Sequence, residues 1–158
     1  MQRRVTKLVH LLKEKKLTIS LAESMTCGLA SHQLSTVSGT TDIFPGSIVC
    51  YSEEIKTGIL GVKKSTLKKY TAESAQATGE LCKGLKSIFK TDICAAITGL
   101  ASPGGSETKL KPVGTVFFAV YYKKKINSKK MLFRGSPLII RRKACENLFD
   151  FISQIVLK

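Results

Sequence analysis

Ser24 and Cys27 stand three positions apart in LAESMTCGLA (21–30), a stretch that also holds Glu23, Thr26 and Gly28. A hydroxyl or a thiol attacks an electrophilic carbon once a base takes its proton. The same residue types also begin a helix after a strand, where Ser and Thr oxygens accept from the orphan backbone N–H groups of the first turn. Taken alone, capping is the commoner role. The base is not a recognisable histidine, because His10 and His32 fall on separate helices and neither stands in a triad relation to an Asp or Asn. A lysine whose pKa is lowered by desolvation or by a neighbouring cation is the usual substitute. Lys56, five residues past Tyr51, is the lysine best placed to converge on Ser24. A surface position on an amphipathic helix is the plainer reading of the same residue.

Other patterns carry less chemistry. Gly99 to Gly104 has the G-x-x-x-x-G spacing, but Gly105 stands where a Walker loop needs lysine and Pro103 removes a backbone donor. The segment is not a P-loop; it reads either as an anion-binding nest or as a plain flexible loop. Ser65-Thr66-Leu67-Lys68 and Lys56-Thr57-Gly58 match the S-x-x-K and K-T-G elements of penicillin-recognising enzymes, but in reversed order and without S-D-N. Ser65 more simply caps a helix over 65–70.

The elements that must position these groups follow from periodicity. Val5, Leu8, Val9 and Leu12 lie at helical spacing within 3–16, and LTISLA (17–22) reads as a strand leading straight into the reactive stretch. A short helix over 28–37, a turn-rich connection over 38–46, the strand SIVCY and the acidic-ended helix SEEIKTGIL follow. A helix from about Ala72 to Phe89 precedes the strand DICAAIT and the glycine-rich loop. VGTVFFAVYY then pairs with KKMLFRG across a lysine-rich turn, and IIRRKACENLFDFISQIVL closes as a helix. Alternating strands and helices followed by a hairpin predict a three-layer α/β/α sandwich with a mixed, mostly parallel sheet and one antiparallel strand. In such sheets the site lies beyond the carboxyl ends of the strands, where AESMTCG, YSEEIK and TGLASPGG all fall.

The 158 residues predict one domain spanning 1–158, and no apolar run approaches the roughly 20 residues of a membrane helix. The N-terminus reads as an amphipathic helix rather than a signal. Five scattered cysteines with no C-x-x-C predict reduced thiols, no metal and a cytoplasmic address. Cys50 and Cys94 lie in apolar runs, where inert buried thiols are ordinary. The net charge of +15 raises nucleic acid as a partner, but the charges are scattered and no recognition signature accompanies them. That argues against nucleic acid and leaves a smaller anionic ligand compatible with the charge.

AESMTCGLAS, VSGTTDIFPGSIVCYSEEIKTGILGV, AITGLASPGG and KPVGTV occur in the order, and at nearly the separations, of the CinA C-terminal family. Its forms read approximately A-E-S-C-T-G-G, G-S-S…F-x-G-x-x-x-Y-S-N-E-x-K-x-x-x-L-G-V, x-T/S-G-I-A-G-P-x-G-G and K-P-V-G-T-V. From about Leu17 to Arg142 the chain resembles that family, in what looks like its stand-alone form. The resemblance implies a three-layer α/β/α domain and nicotinamide-nucleotide amidase activity. That reaction hydrolyses the carboxamide of nicotinamide mononucleotide to nicotinic acid mononucleotide and ammonia, without cofactor or metal. It implies Ser24 as nucleophile, Lys56 as its base and Tyr51 as a relay or orienting group. By the same resemblance the Thr26 to Gly28 turn offers oxyanion donors, and Thr98 and Arg141 hold the nucleotide. A homo-oligomer is the common state of such compact enzymes.

The chain departs from the pattern at Met25, Cys27, Glu53 and Pro137. A side chain at Cys27 is expected to oppose a left-handed backbone, and Glu53 to raise the pKa of Lys56 if the two approach. These departures motivate an alternative, a nucleotide-binding or interaction module that kept the fold with reduced or lost catalysis.

Overall fold

The computed structural model describes residues 2–158. In chain order it contains α1 (Gln2–Glu14), β1 (Ile19–Glu23), α2 (Leu29–Ser35), β2 (Gly46–Val49), α3 (Glu53–Gly58), α4 (Lys64–Tyr70), α5 (Ala75–Phe89), β3 (Ile93–Gly99), β4 (Thr115–Tyr122), β5 (Lys125–Leu132) and α6 (Pro137–Val156). The sheet order is β2-β1-β3-β4-β5. β1 pairs in parallel with β2 and β3, β4 is antiparallel to β3, and β5 is antiparallel to β4, so β4 alone runs against the rest. This is the predicted mixed α/β/α architecture.

Side-chain alternation along the strands builds two cores. Ile19 and Leu21 of β1, with Ala95 and Ile97 of β3, pack with α1, α2 and α6. The opposite face is small: Ala22, Cys94, Ala96 and Ala119 meet Ala77, Leu81, Cys82 and Leu85 of α5. Small strand residues let this helix approach the sheet closely. Every residue of β1 is buried, which explains why its sequence reads as a continuous apolar run around Ser20 rather than as an alternating strand. Helix α6 places Ile140, Ala144, Leu148 and Ile152 on one stripe, four residues apart, and Ser136 caps it by accepting from Ile139 N. Each fully buried large apolar side chain on that stripe contributes roughly 1.5–3 kcal/mol.

The hairpin turns through Lys123 and Lys124, both at positive φ, so β5 begins at Lys125, before the expected KKMLFRG segment. Its lysines blunt an exposed edge. Two helix starts also differ from expectation. Helix α5 begins at Ala75 rather than Ala72, because Ser74 Oγ caps it, accepting from Ala77 N at 3.2 Å. Residues 71–74 are thereby released into a connection beside the strand ends. Ser65 is not a cap: α4 starts after Lys63 with no side-chain cap, and the Glu80 carboxylate pins this helix start to α5, accepting from Lys63 N at 2.8 Å and Thr66 Oγ1 at 2.7 Å. Cys50, Cys82, Cys94 and Cys145 are buried free thiols and Cys27 is exposed. Among the described residues no helix is long and apolar enough to cross a membrane.

Candidate active site

The parallel strands finish at one level. Glu23 pairs with Val49 on one side and Ile97 on the other, so Ser24, Cys50 and Thr98 stand abreast at the carboxyl edge. Ser24 N donates to Ile97 O at 3.1 Å and Cys50 N to Glu23 O at 2.7 Å, which extends the sheet by one residue. Ser24 is only 7% exposed, and its Oγ carries no hydrogen bond among the described residues.

The loop after Ser24 is held by a residue whose role the sequence reading passed over. Glu23 is fully buried, and its carboxylate accepts from Gly28 N and Ala30 N at 3.1 Å, and from Ser31 N at 2.8 Å and Ser31 Oγ at 2.5 Å. It satisfies the orphan donors at the start of α2, and its charge suits the positive end of that helix. The cap is therefore Glu23 rather than Ser24, which leaves the serine free. The signal was a carboxylate directly after an apolar strand and before a helix start. Glu23→Ala strands several buried donors and is expected to lower unfolding free energy by about 3 kcal/mol or more, measurable in a urea titration.

Anchoring α2 this way requires two consecutive left-handed residues, Cys27 at φ 50 and Gly28 at φ 90. The side chain at Cys27 does not prevent that conformation; it is accommodated by pointing to solvent. Cys27→Gly is expected to raise stability by about 1 kcal/mol, read from the same titration. Backbone donors in the turn are largely committed. Cys27 N bonds Ser24 O at 3.1 Å and Gly28 N bonds Glu23, whereas Met25 N and Thr26 N carry no hydrogen bond among the described residues. The open backbone donors thus lie at Met25 and Thr26, and not across the expected Thr26 to Gly28 turn. Thr26 Oγ1 is buried without a partner.

Lys56 is not a surface lysine. It is 1% exposed, among the largest fully buried side chains of the described residues, because α3 folds back over the end of β2. Lys56 Nζ donates to Cys50 O at 2.6 Å and to Tyr51 O at 3.1 Å. No carboxylate among the described residues lies within ion-pair distance of it. Burial pushes its pKa down; the Cys50 thiol, Glu73 and then Glu53 pull the other way and do not prevail. The expected upward pull of Glu53 is therefore real but minor. Burial raises the Cys50 thiol to about 11, so it is an inert neighbour. No hydrogen bond joins Lys56 Nζ to Ser24 Oγ.

Ser24 opens onto a cavity of about 290 Å³, walled by Met25, Tyr51, Glu73, residues 99–105 of the glycine-rich loop, and Arg141. That is near the lower end of the usual range for ligand sites, roughly 300–1,000 Å³. A larger groove of about 630 Å³ between α3 and α4 shows two carboxylates and two lysines to solvent, and Thr57 is its only hydroxyl. It lacks the convergence seen at Ser24. Arg141 reaches the reactive loop from α6, its Nε donating to Met25 O at 2.8 Å, which leaves its terminal nitrogens for a ligand. Tyr51 is 63% exposed on the wall. Thr98, Thr26, Gly28 and Lys56 do not line the cavity. Thr98 is fully buried and bonds Thr78 Oγ1 at 2.8 Å, tying the strand end to α5. His10 and His32 are exposed and lie off the wall.

Gly99 holds the reactive loop and the glycine-rich loop together, since a Cβ there would sit 2.6 Å from Thr115 O and 2.8 Å from Met25 Sδ. Further on, Gly104 N and Gly105 N both donate to the Glu107 carboxylate at 2.8 Å. The nest exists, and the chain's own carboxylate fills it. Among the described residues no group of His, Cys, Asp or Glu side chains is placed to hold a metal ion.

The sequence model of the CinA C-terminal domain matches residues 1–156. A CinA-like protein of Thermotoga neapolitana is 50% identical over 113 residues, 72% of this chain and 28% of that protein. One from Fervidobacterium nodosum is 39% identical over 149 residues, 94% of this chain and 36% of that protein. The chain therefore spans about a third of the length of these curated relatives. Among solved structures, a competence or damage-inducible protein of Enterobacter asburiae superposes with a TM-score of 0.93 at 30% identity, covering 98% of this chain and 97% of that one. A CinA superfamily protein of Klebsiella pneumoniae gives a TM-score of 0.94 at 26% identity, covering 99% and 97%. With its α/β/α sheet and a match over nearly all its length, the chain belongs to the CinA C-terminal domain family.

Proposed function

We propose that the site is a serine amidase acting on the carboxamide of nicotinamide mononucleotide, with Lys56 as the proton carrier. The observation that supports this most is the bonding of Lys56. A neutral amine has two N–H bonds and one lone pair; two backbone carbonyls take the N–H bonds, and the lone pair remains to accept a proton. A charged ammonium in the same place has a third N–H and no carboxylate beside it. The environment thus favours the form a base needs.

Ser24 Oγ attacks the carboxamide carbon while its proton passes to Lys56. The oxyanion is held by the open N–H groups of Met25 and Thr26. Lys56 returns the proton to nitrogen, the C–N bond breaks and ammonia leaves the acyl-enzyme. Water then attacks the ester carbon and gives up a proton through Lys56 to Ser24 Oγ, releasing nicotinic acid mononucleotide and the free serine. Tyr51 orients the ring and Arg141 binds the phosphate. Thr98 acts from behind, by fixing the strand end.

Purified protein is expected to release one ammonia per nucleotide consumed, followed by a coupled dehydrogenase assay and by chromatography of the acid. Folded protein that binds the nucleotide by calorimetry without turnover would instead support the second reading, a binding module. One observation favours that reading, the missing hydrogen bond between Ser24 and Lys56. Catalytic contacts of this kind often close only when substrate is bound.

A further inference from the structure

The cavity wall carries a single carboxylate, and the proposed chemistry does not use it. Glu73 lies in the 71–74 connection and faces the cavity alongside Ser24, Tyr51 and Arg141. Ser106 Oγ donates to its carboxylate. Its backbone oxygen accepts from Lys111 Nζ at 3.2 Å, and the same ammonium donates to Thr71 Oγ1 at 2.6 Å and Ser106 Oγ at 2.8 Å. All three Lys111 protons are thereby placed on neutral oxygens. No cation among the described residues lies within ion-pair distance of the Glu73 carboxylate, and the Lys111 ammonium stands one hydroxyl away, through Ser106. The negative charge of Glu73 works to raise the pKa of both Lys111 and Lys56.

We propose that Glu73 sets the preference of this site for the amide nucleotide over its acid product. The inference rests on the amidase reading above. Hydrolysis exchanges a neutral carboxamide for a carboxylate and leaves the pyridinium and the phosphate unchanged. The one new charge therefore forms at the carbon next to Ser24. Arg141, the one cation on the wall among the described residues, attracts that charge and would retain the product. A carboxylate on the same wall repels it, whereas the attraction of that carboxylate for the pyridinium is common to both nucleotides and cancels. Across several ångströms of partly screened space the effect on relative affinity is expected to be roughly three- to tenfold.

The test measures nicotinamide mononucleotide and nicotinic acid mononucleotide by calorimetry on Ser24→Ala, which holds both without turnover, and on the same protein carrying Glu73→Gln or Glu73→Asp. The preference for the amide is expected to shrink three- to tenfold with Gln and to return with Asp. An unchanged preference overturns the proposal. So does an equal loss for both nucleotides, which is the mark of a ribose contact or of a loosened glycine-rich loop. If Ser24→Ala binds neither nucleotide, the amidase reading itself falls and takes this inference with it. If both bind with an unchanged ratio, only the role of Glu73 falls.

Discussion

Ser24→Ala is expected to lower ammonia release from nicotinamide mononucleotide by at least about 10³-fold and to leave nucleotide affinity within a few-fold. The size follows from the absence of a substitute. Cys27 is not on the cavity wall, and the hydroxyls there besides Ser24 are Tyr51 and Ser102, both exposed to solvent. The fold is expected to survive, because Ser24 Oγ makes no hydrogen bond and Glu23 holds the loop without it. A folded Ser24→Ala protein that still turns over at the original rate would remove the serine from the chemistry and leave it only its place in the turn.

Lys56→Met is expected to lower turnover by about 10²–10⁴-fold, the range ordinarily lost with a general base. Methionine fills most of the buried volume, so near-native thermal unfolding is expected to separate chemistry from collapse. The wild-type profile of kcat/KM against pH supplies the second readout. Lys56 accepts a proton only when neutral, and burial lowers its pKa from 10.5, so the rate rises with pH through that lowered value and levels below the ordinary lysine range. Stability shares the window with a definite sign. Between the folded value and the unfolded value near 10.4 the unfolded chain binds more protons, so unfolding free energy rises with pH there. Below the folded value the full penalty of a buried charge is present. Lys56→Met removes both slopes. A residual rate that keeps the wild-type limb would assign it to another group.

Much of the fold was legible because it rests on local pattern. The apolar runs of β1 and β3, the stripe of α6 and the lysine turn each declare their element within a dozen residues. The errors sit at helix starts: Ser74 starts α5 later than its apolar spacing implied, and α4 starts at Lys64, with Glu80, seventeen residues along from Lys63, pinning its first turn instead of a cap at Ser65. Of the site residues expected from the sequence, Ser24, Tyr51 and Arg141 share one cavity wall, while Lys56 and Thr98 are buried off it, an arrangement that no local pattern announced.

By itself the sequence determined which groups reach the carboxyl edge of the sheet, because strand length and periodicity set where each strand ends and which motif follows. Tertiary structure alone decided their states. Lys56 becomes a buried amine because α3 turns its polar end back onto the two carbonyls after β2. Ser24 is released from capping because Glu23, on the opposite side of the strand, meets α2 first. Glu73 faces the cavity because α5 starts after it. Burial, charge and hydrogen-bond partners depend on residues far apart in the chain, and no local pattern encodes them.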